Sequence, residues 1–93
     1  MREKNIENHL ARTVKRMGGI AVKFVSPSLA GIPDRLILLP CGHMAFAELK
    51  APNKHLRPLQ VKRKKQLEAL GFSVYIIDSL EQIGGVLDEI SAP

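Results

Sequence analysis

The chain has 93 residues, of which 45% are hydrophobic and 25% are charged, and this composition excludes both a disordered chain and a protein with two independent cores. Fourteen Lys and Arg against nine Asp and Glu give a formal net charge of +5, which favours a polyanionic partner. Cys41 is the only cysteine, so an intrachain disulfide and a zinc site of several cysteines are both excluded. We therefore expect a single domain spanning residues 1–93.

The hydropathy pattern indicates a protein without membrane association. No apolar stretch approaches the roughly 20 residues that a membrane helix needs. The charged N-terminus is followed by no apolar signal region, and no lipidation motif is present. We therefore expect the protein to be cytoplasmic.

The first two predicted elements are a helix and a strand. The apolar face of the helix consists of Ile6, Leu10, Val14 and Met17. These positions recur every three or four residues, which is the period of an α-helix, and Gly18 and Gly19 would end it. The β-branched and aromatic segment 20–25 then predicts a strand.

The next two strands are predicted to form an antiparallel hairpin. The nearly continuous apolar run 35–39 is typical of a strand buried on both faces, and the segment 44–50 is the second strand. The intervening Pro-Cys-Gly-His sequence, residues 40–43, would form the turn.

A helix, a strand and a last helix complete the predicted order αβββαβα. Pro58 suits the first turn of the second helix, and Gly71 would end it. The segment 72–77 has the composition of a strand. The predicted apolar faces of the two helices consist of Leu59, Leu67 and Leu70, and of Ile83, Val86, Leu87 and Ile90.

Two acids and a lysine fall at matching ends of the predicted hairpin strands. Glu48 and Lys50 are two residues apart and would project from one face of their strand, with Leu49 on the other. Asp34 begins the partner strand after Pro33, so the hairpin would bring its carboxylate near Glu48. Two carboxylates suit Mg²⁺ or Mn²⁺. Lys50 could orient the attacking water, stabilise charge on the phosphate or act as a base, and the sequence leaves open whether it is a base. The pattern predicts a metal-dependent phosphodiesterase centre, with a surface ion pair on an edge strand as the alternative.

These residues and their neighbours resemble the PD-(D/E)xK nuclease superfamily and, within it, the VRR-NUC family. The resemblance rests on Gly31-Ile32-Pro33-Asp34, Glu48-Leu49-Lys50, Ala51-Pro52-Asn53 and Gln60. It implies an α/β fold with the αβββαβα core of restriction endonucleases around a central mixed four-stranded sheet. It also implies that Asp34, Glu48 and Lys50 are the catalytic set and that Mg²⁺ or Mn²⁺ is the cofactor.

The same resemblance implies an outer set of site residues. Glu7 would take part in catalysis and metal binding, Gln60 would take part in catalysis, and the main-chain carbonyl of Leu49 would be a further metal ligand. An acid in the first turn of a helix is stabilised by the helix dipole without any ligand role, so this alternative stays open for Glu7. For Gln60, the alternative is an ordinary exposed helix residue.

Basic residues are concentrated after Lys50 and predict a nucleic-acid surface. The side chains assigned to DNA binding are Lys54, Arg57, Lys62 and Arg63. A solvated helix face is the alternative for the run 62–65.

We therefore expect a Mg²⁺- or Mn²⁺-dependent endonuclease that acts on DNA. The resemblance implies a homodimer that cleaves branched DNA, such as a Holliday junction, by shape. A sequence-targeted or nicking endonuclease of the same fold and a non-catalytic nucleic-acid-binding module are the alternatives.

Overall fold

The helices and strands follow one another in the predicted order αβββαβα in the computed structural model, which describes residues 2–93. The elements are α1 Glu3–Arg16, β1 Ile20–Lys23, β2 Arg35–Leu38, β3 Met44–Leu49, α2 Pro58–Ala69, β4 Val74–Ile77 and α3 Gln82–Ser91. A short 3₁₀ turn, Pro40–Gly42, joins β2 to β3. Within the described residues, no helix has the length and apolar character needed to cross a bilayer.

The four strands form one mixed sheet in the order β1-β2-β3-β4. β2 pairs antiparallel with both β1 and β3, so the predicted hairpin is confirmed. β4 pairs parallel with β3, because α2 carries the chain back along the sheet between these two strands. The α/β fold with a central mixed sheet is therefore confirmed.

The core lies between α1, α3 and one face of the sheet. The helices contribute the buried side chains of Ile6, Leu10, Val14, Ile83, Leu87 and Ile90. The sheet contributes Ile37, Ala45, Ala47, Leu49 and Ile77. Since two of the core positions of β3 are alanines, the helices can pack closely over the middle of the sheet.

The opposite face of the sheet is only half covered. α2 packs over β4, whereas Leu38 on β2 is 37% exposed. The prediction that the strand 35–39 is buried on both faces is therefore wrong, because within residues 2–93 no helix buries Leu38 on this face of β2. The predicted apolar face of α2 is also wrong, since Leu59 and Leu70 are 40% and 68% exposed and the buried residue of α2 is Gln60.

Candidate active site

Asp34, Glu48 and Lys50 meet at the C-terminal end of β3. Lys50 Nζ lies 3.7 Å from Glu48 Oε2. The main-chain N–H of Leu49 donates a hydrogen bond to Asp34 Oδ1 at 3.2 Å. This bond ties Asp34, which precedes β2, to β3, which carries Glu48 and is followed directly by Lys50. The β2–β3 hairpin is therefore what places the three side chains together.

Glu48 is a buried carboxylate, with only 6% of the residue exposed. Burial raises the pKa of the Glu48 carboxyl, and the nearby charge of Asp34 raises it further, whereas Lys50 opposes the shift. A charged carboxylate that is buried close to a second carboxylate is costly unless a cation compensates it. The electrostatics of this position therefore suit the binding of a cation.

Gln60 links α2 to Glu48. Its Nε2 donates to Glu48 Oε2 at 3.2 Å, and its Oε1 accepts from the main-chain N–H of Arg57 at 2.9 Å. Only 7% of the residue is exposed. Both ends of the side-chain amide are thus engaged within the protein, so Gln60 orients the carboxylate of Glu48 and caps the start of α2.

Glu7 reaches the site through an arginine. Arg35 Nη2 lies 3.0 Å from Glu7 Oε2, which makes an ion pair between β2 and α1. Arg35 Nη1 donates to the main-chain oxygen of Asp34 at 2.9 Å and lies 3.6 Å from Asp34 Oδ2. The guanidinium therefore contacts both acids, and it stands between Glu7 and the rest of the site.

The sequence prediction assigns Arg35 to an apolar run and gives it no role. The sequence does contain one signal for such a role. Arg35 is a charged residue directly after Asp34, at the start of an otherwise apolar strand. A charged residue is almost never fully buried without a partner. Only the fold shows that α1 supplies this partner as Glu7.

Of the predicted metal ligands, the carboxylates of Asp34 and Glu48 lie together at the end of β3, whereas the carboxylate of Glu7 is paired with Arg35. Among residues 2–93, no three His, Cys, Asp or Glu side chains lie close enough together to form a metal cluster. Two carboxylates fit Mg²⁺ or Mn²⁺, because Mg²⁺ typically keeps several waters and takes one or two carboxylates from the protein. The residues present therefore fit the ion that the sequence predicts.

The four side chains assigned to DNA binding lie on α2 and on the loop that precedes it. Lys54, Arg57 and Lys62 are exposed. Arg63 differs, because its Nε donates to the main-chain oxygen of Ala30 at 2.8 Å. Arg63 therefore also holds the loop before Asp34 against α2.

Comparison with known proteins gives two similarities that cover nearly the whole chain. No family model matches the sequence. The chain is 43% identical over 91 residues to "Putative nuclease p44" of Acyrthosiphon pisum secondary endosymbiont phage 1, which covers 98% of this chain and 97% of that protein. A solved structure described as a VRR_NUC domain matches with a TM-score of 0.85 and 24% identity, over 92% of this chain and 94% of that one. At this identity, the structural likeness establishes the fold.

Proposed function

We propose that this chain, which belongs to the VRR-NUC family of nucleases, is a metal-dependent endonuclease that hydrolyses DNA. The observation that supports the proposal is the buried carboxylate of Glu48, which contacts Gln60 on one side and Lys50 on the other. The next residue of the same strand, Leu49, binds Asp34 through its main-chain N–H. Asp34 and Glu48 would hold Mg²⁺ or Mn²⁺, with the main-chain carbonyl of Leu49 as a further ligand. The bound ion supplies Lewis-acid polarisation of a phosphate oxygen.

Lys50 is the residue that we assign to charge stabilisation on the phosphate. Its ammonium lies 3.7 Å from Glu48 Oε2, which is longer than a hydrogen bond, so its N–H donors can turn toward a phosphate oxygen or a water. Glu48 holds the ammonium at the site by charge attraction. Gln60 in turn orients Glu48, and Glu7 acts on Asp34 through Arg35.

Affinity for DNA comes, in this proposal, from the exposed cations beside the site. Lys54 and Arg57 lie on the loop between Lys50 and α2, and Lys62 lies on α2. All three side chains are exposed, so we assign them to contacts with phosphates of bound DNA. Contacts to phosphates carry no sequence information. The arrangement therefore favours selection of DNA by shape, with branched DNA as the proposed substrate.

We also propose that the nuclease is a homodimer joined through the open part of the sheet. This apolar sheet patch consists of Ile20, Val22, Leu36, Leu38, Met44, Phe46 and Phe72. Strand register places the members on one face, since Ile20 lies opposite Leu38 and Leu38 lies opposite Met44. Phe72 packs edge-on against Phe46 with ring centroids 5.9 Å apart.

The size and chemistry of the apolar sheet patch suit a second copy of the chain. Ile20 is 64% exposed and Phe72 is 45% exposed. The whole patch exposes on the order of 500 Å², so two copies would bury about 1,000 Å², the lower end for a specific interface. No member is charged, so no like-charge repulsion opposes the contact of two copies at this patch. A two-fold pairing gives two acidic sites, one for each DNA strand.

Cleavage assays on four-way, flapped and linear duplex DNA test the nuclease proposal. We expect cleavage that requires Mg²⁺ or Mn²⁺, prefers the branched substrates and is abolished by EDTA. Lys50→Ala should abolish cleavage and leave DNA binding, whereas Lys15→Ala, at the far end of α1, should keep both. Cleavage that survives in EDTA or in Lys50→Ala would refute the assignment to this site. Tight binding without cleavage of any substrate would favour the non-catalytic binding module.

A light-scattering mass tests the homodimer. We expect twice the chain mass of 10.3 kDa. Leu38→Glu places a charge within the apolar sheet patch and should yield a monomer. Val25→Glu is the matched control, because Val25 is 77% exposed beyond the end of β1 and outside the patch. A monomeric wild-type protein at the concentration of the cleavage assay would refute the homodimer.

A further inference from the structure

We propose that Arg35 sets the metal affinity of the site by occupying Glu7, which leaves the ion with the carboxylates of Asp34 and Glu48. The proposal rests on the proposed metal-dependent function. It assigns Arg35 as a positioning residue, because the guanidinium acts through the two acids that it contacts.

The contacts of Arg35 fix its guanidinium between α1 and the site. Nη2 lies 3.0 Å from Glu7 Oε2, and Nη1 lies 2.9 Å from the main-chain oxygen of Asp34 and 3.6 Å from Asp34 Oδ2. The residue is 5% exposed. On the sheet, its backbone is paired on both sides, with Lys23 of β1 and Ala47 of β3. The guanidinium therefore has no ready path to solvent, and Glu7 is its anionic partner on α1.

A metal ion and the Arg35 guanidinium compete for the same acid. To gain Glu7 as a ligand, the ion would have to separate an ion pair whose arginine is buried, and breaking such a pair is strongly unfavourable. The ion is therefore left with two carboxylates. Removal of Arg35 would release Glu7, which the same guanidinium holds next to Asp34, and would make a third carboxylate available to the ion.

The number of carboxylates also bears on which ion is preferred. Mg²⁺ is held by one or two carboxylates and keeps its waters, whereas Ca²⁺ takes six to eight oxygen ligands. A third carboxylate would therefore benefit Ca²⁺ more than Mg²⁺. Arg35, by holding Glu7, keeps the site suited to the smaller ion.

Titration of metal-free protein with Mn²⁺, followed by electron paramagnetic resonance without DNA, tests the proposal. Arg35→Met should tighten Mn²⁺ binding about tenfold, a size typical of coupling between contacting groups. Lys23→Met is the matched control, because it removes the same charge from the paired position on β1, and it should change the affinity less than about twofold. In the Glu7→Gln background, the effect of Arg35→Met should fall to about twofold. Ca²⁺ should displace Mn²⁺ more readily from Arg35→Met than from the wild type.

Each alternative role of Arg35 gives a different result. Weaker or unchanged Mn²⁺ binding in folded Arg35→Met would show a merely structural role and overturn the proposal. A full tightening that persists in the Glu7→Gln background would show that Arg35 acts only as a charge, which overturns it equally.

Two further variants separate folding and function from this proposal. If Arg35→Met shows no cooperative thermal transition, Arg35→Gln replaces it in the same titrations. Arg35→Lys keeps the positive charge and should bind Mn²⁺ within about threefold of the wild-type affinity. Asp34→Asn should abolish Mn²⁺ binding. If the wild-type protein binds no Mn²⁺, or if Asp34→Asn leaves binding unchanged, the metal-dependent function itself is overturned. If Mn²⁺ binding depends on Asp34 but Arg35→Met gives none of the expected changes in affinity, only the role of Arg35 is overturned.

Discussion

Alanine at Gly31 should destabilise the protein and disturb the acidic site, because Gly31 lies where the loop before Asp34 crosses α2. Its φ is +85°, and a Cβ there would lie 2.8 Å from the carbonyl oxygen of Leu59 and 2.9 Å from Leu59 Cγ. Leu59 precedes Gln60, which contacts Glu48. The close approach therefore joins the loop that carries one acid to the helix that orients the other.

Two separate costs add in Gly31→Ala. A left-handed backbone costs an L-residue about 1–2 kcal/mol. Crowding against the main chain of α2 adds about 1–3 kcal/mol, because a carbonyl oxygen cannot move aside as a flexible side chain can. The free energy of unfolding should therefore fall by about 2–5 kcal/mol. For a domain of this size, the thermal midpoint should fall by about 10 °C or more.

Two other glycines serve as matched controls for Gly31→Ala. Gly71 has a φ of +98° with nothing within 4 Å of an added Cβ, so Gly71→Ala carries only the backbone cost of about 1–2 kcal/mol. Gly84 lies within α3 and faces open space, so Gly84→Ala should stabilise the protein by about 0.5–1 kcal/mol. Urea unfolding of the three variants measures the series. If Gly31→Ala costs no more than Gly71→Ala, crowding against Leu59 adds nothing to the backbone cost, which would refute the predicted difference.

Three further substitutions test the buried carboxylate and the core. Because the pKa of Glu48 is raised in the folded state, metal-free protein loses stability as the pH rises from the unfolded-state pKa through the folded-state pKa. Glu48→Gln should therefore raise the thermal midpoint in EDTA, more at neutral than at acidic pH, and a gain confined to acid would contradict this. Gln60→Glu keeps the acceptor for the main-chain N–H of Arg57 but places a second acid against Glu48. The thermal midpoint in EDTA should therefore fall at neutral pH and recover at acidic pH, and a fall of equal size at both pH values would contradict this prediction. Leu10→Ala removes a fully buried side chain and should cost about 2–5 kcal/mol in urea unfolding, and a cost below about 1 kcal/mol would contradict its place in the core.

The hairpin at the centre of the site could be predicted because its signals are local. The short turn 40–43 allows only an antiparallel return. Alternation along the predicted strand 44–50 places Glu48 and Lys50 on one side. Once the hairpin is assumed, Asp34 follows at the end of the partner strand. The buried face of α1 could be predicted equally well, since Ile6 and the other apolar residues of this helix recur at helical spacing.

The burial on α2 and β2 could not be predicted in the same way. Gln60 is buried although it is polar, because Glu48 and the main chain of Arg57 satisfy its amide, and an apolar pattern cannot register such partners. Leu38 is exposed although it lies in an apolar run, because exposure depends on how many helices the fold places over each face. Both errors concern contacts between elements that are distant in sequence.

The site depends on both layers of the fold, because β2 and β3 send side chains to opposite faces of the sheet. Glu48 faces α2, where Gln60 contacts it, while Arg35 reaches α1, where Glu7 contacts it. A change in either helix can therefore alter the acids without replacing one. α3 packs on the core face through Ile83 and its neighbours and makes none of these contacts within the described residues. A disturbance of α3 should thus reach the site only through overall stability, whereas a shift of α1 acts directly on the ion pair between Glu7 and Arg35, and through Arg35 on Asp34.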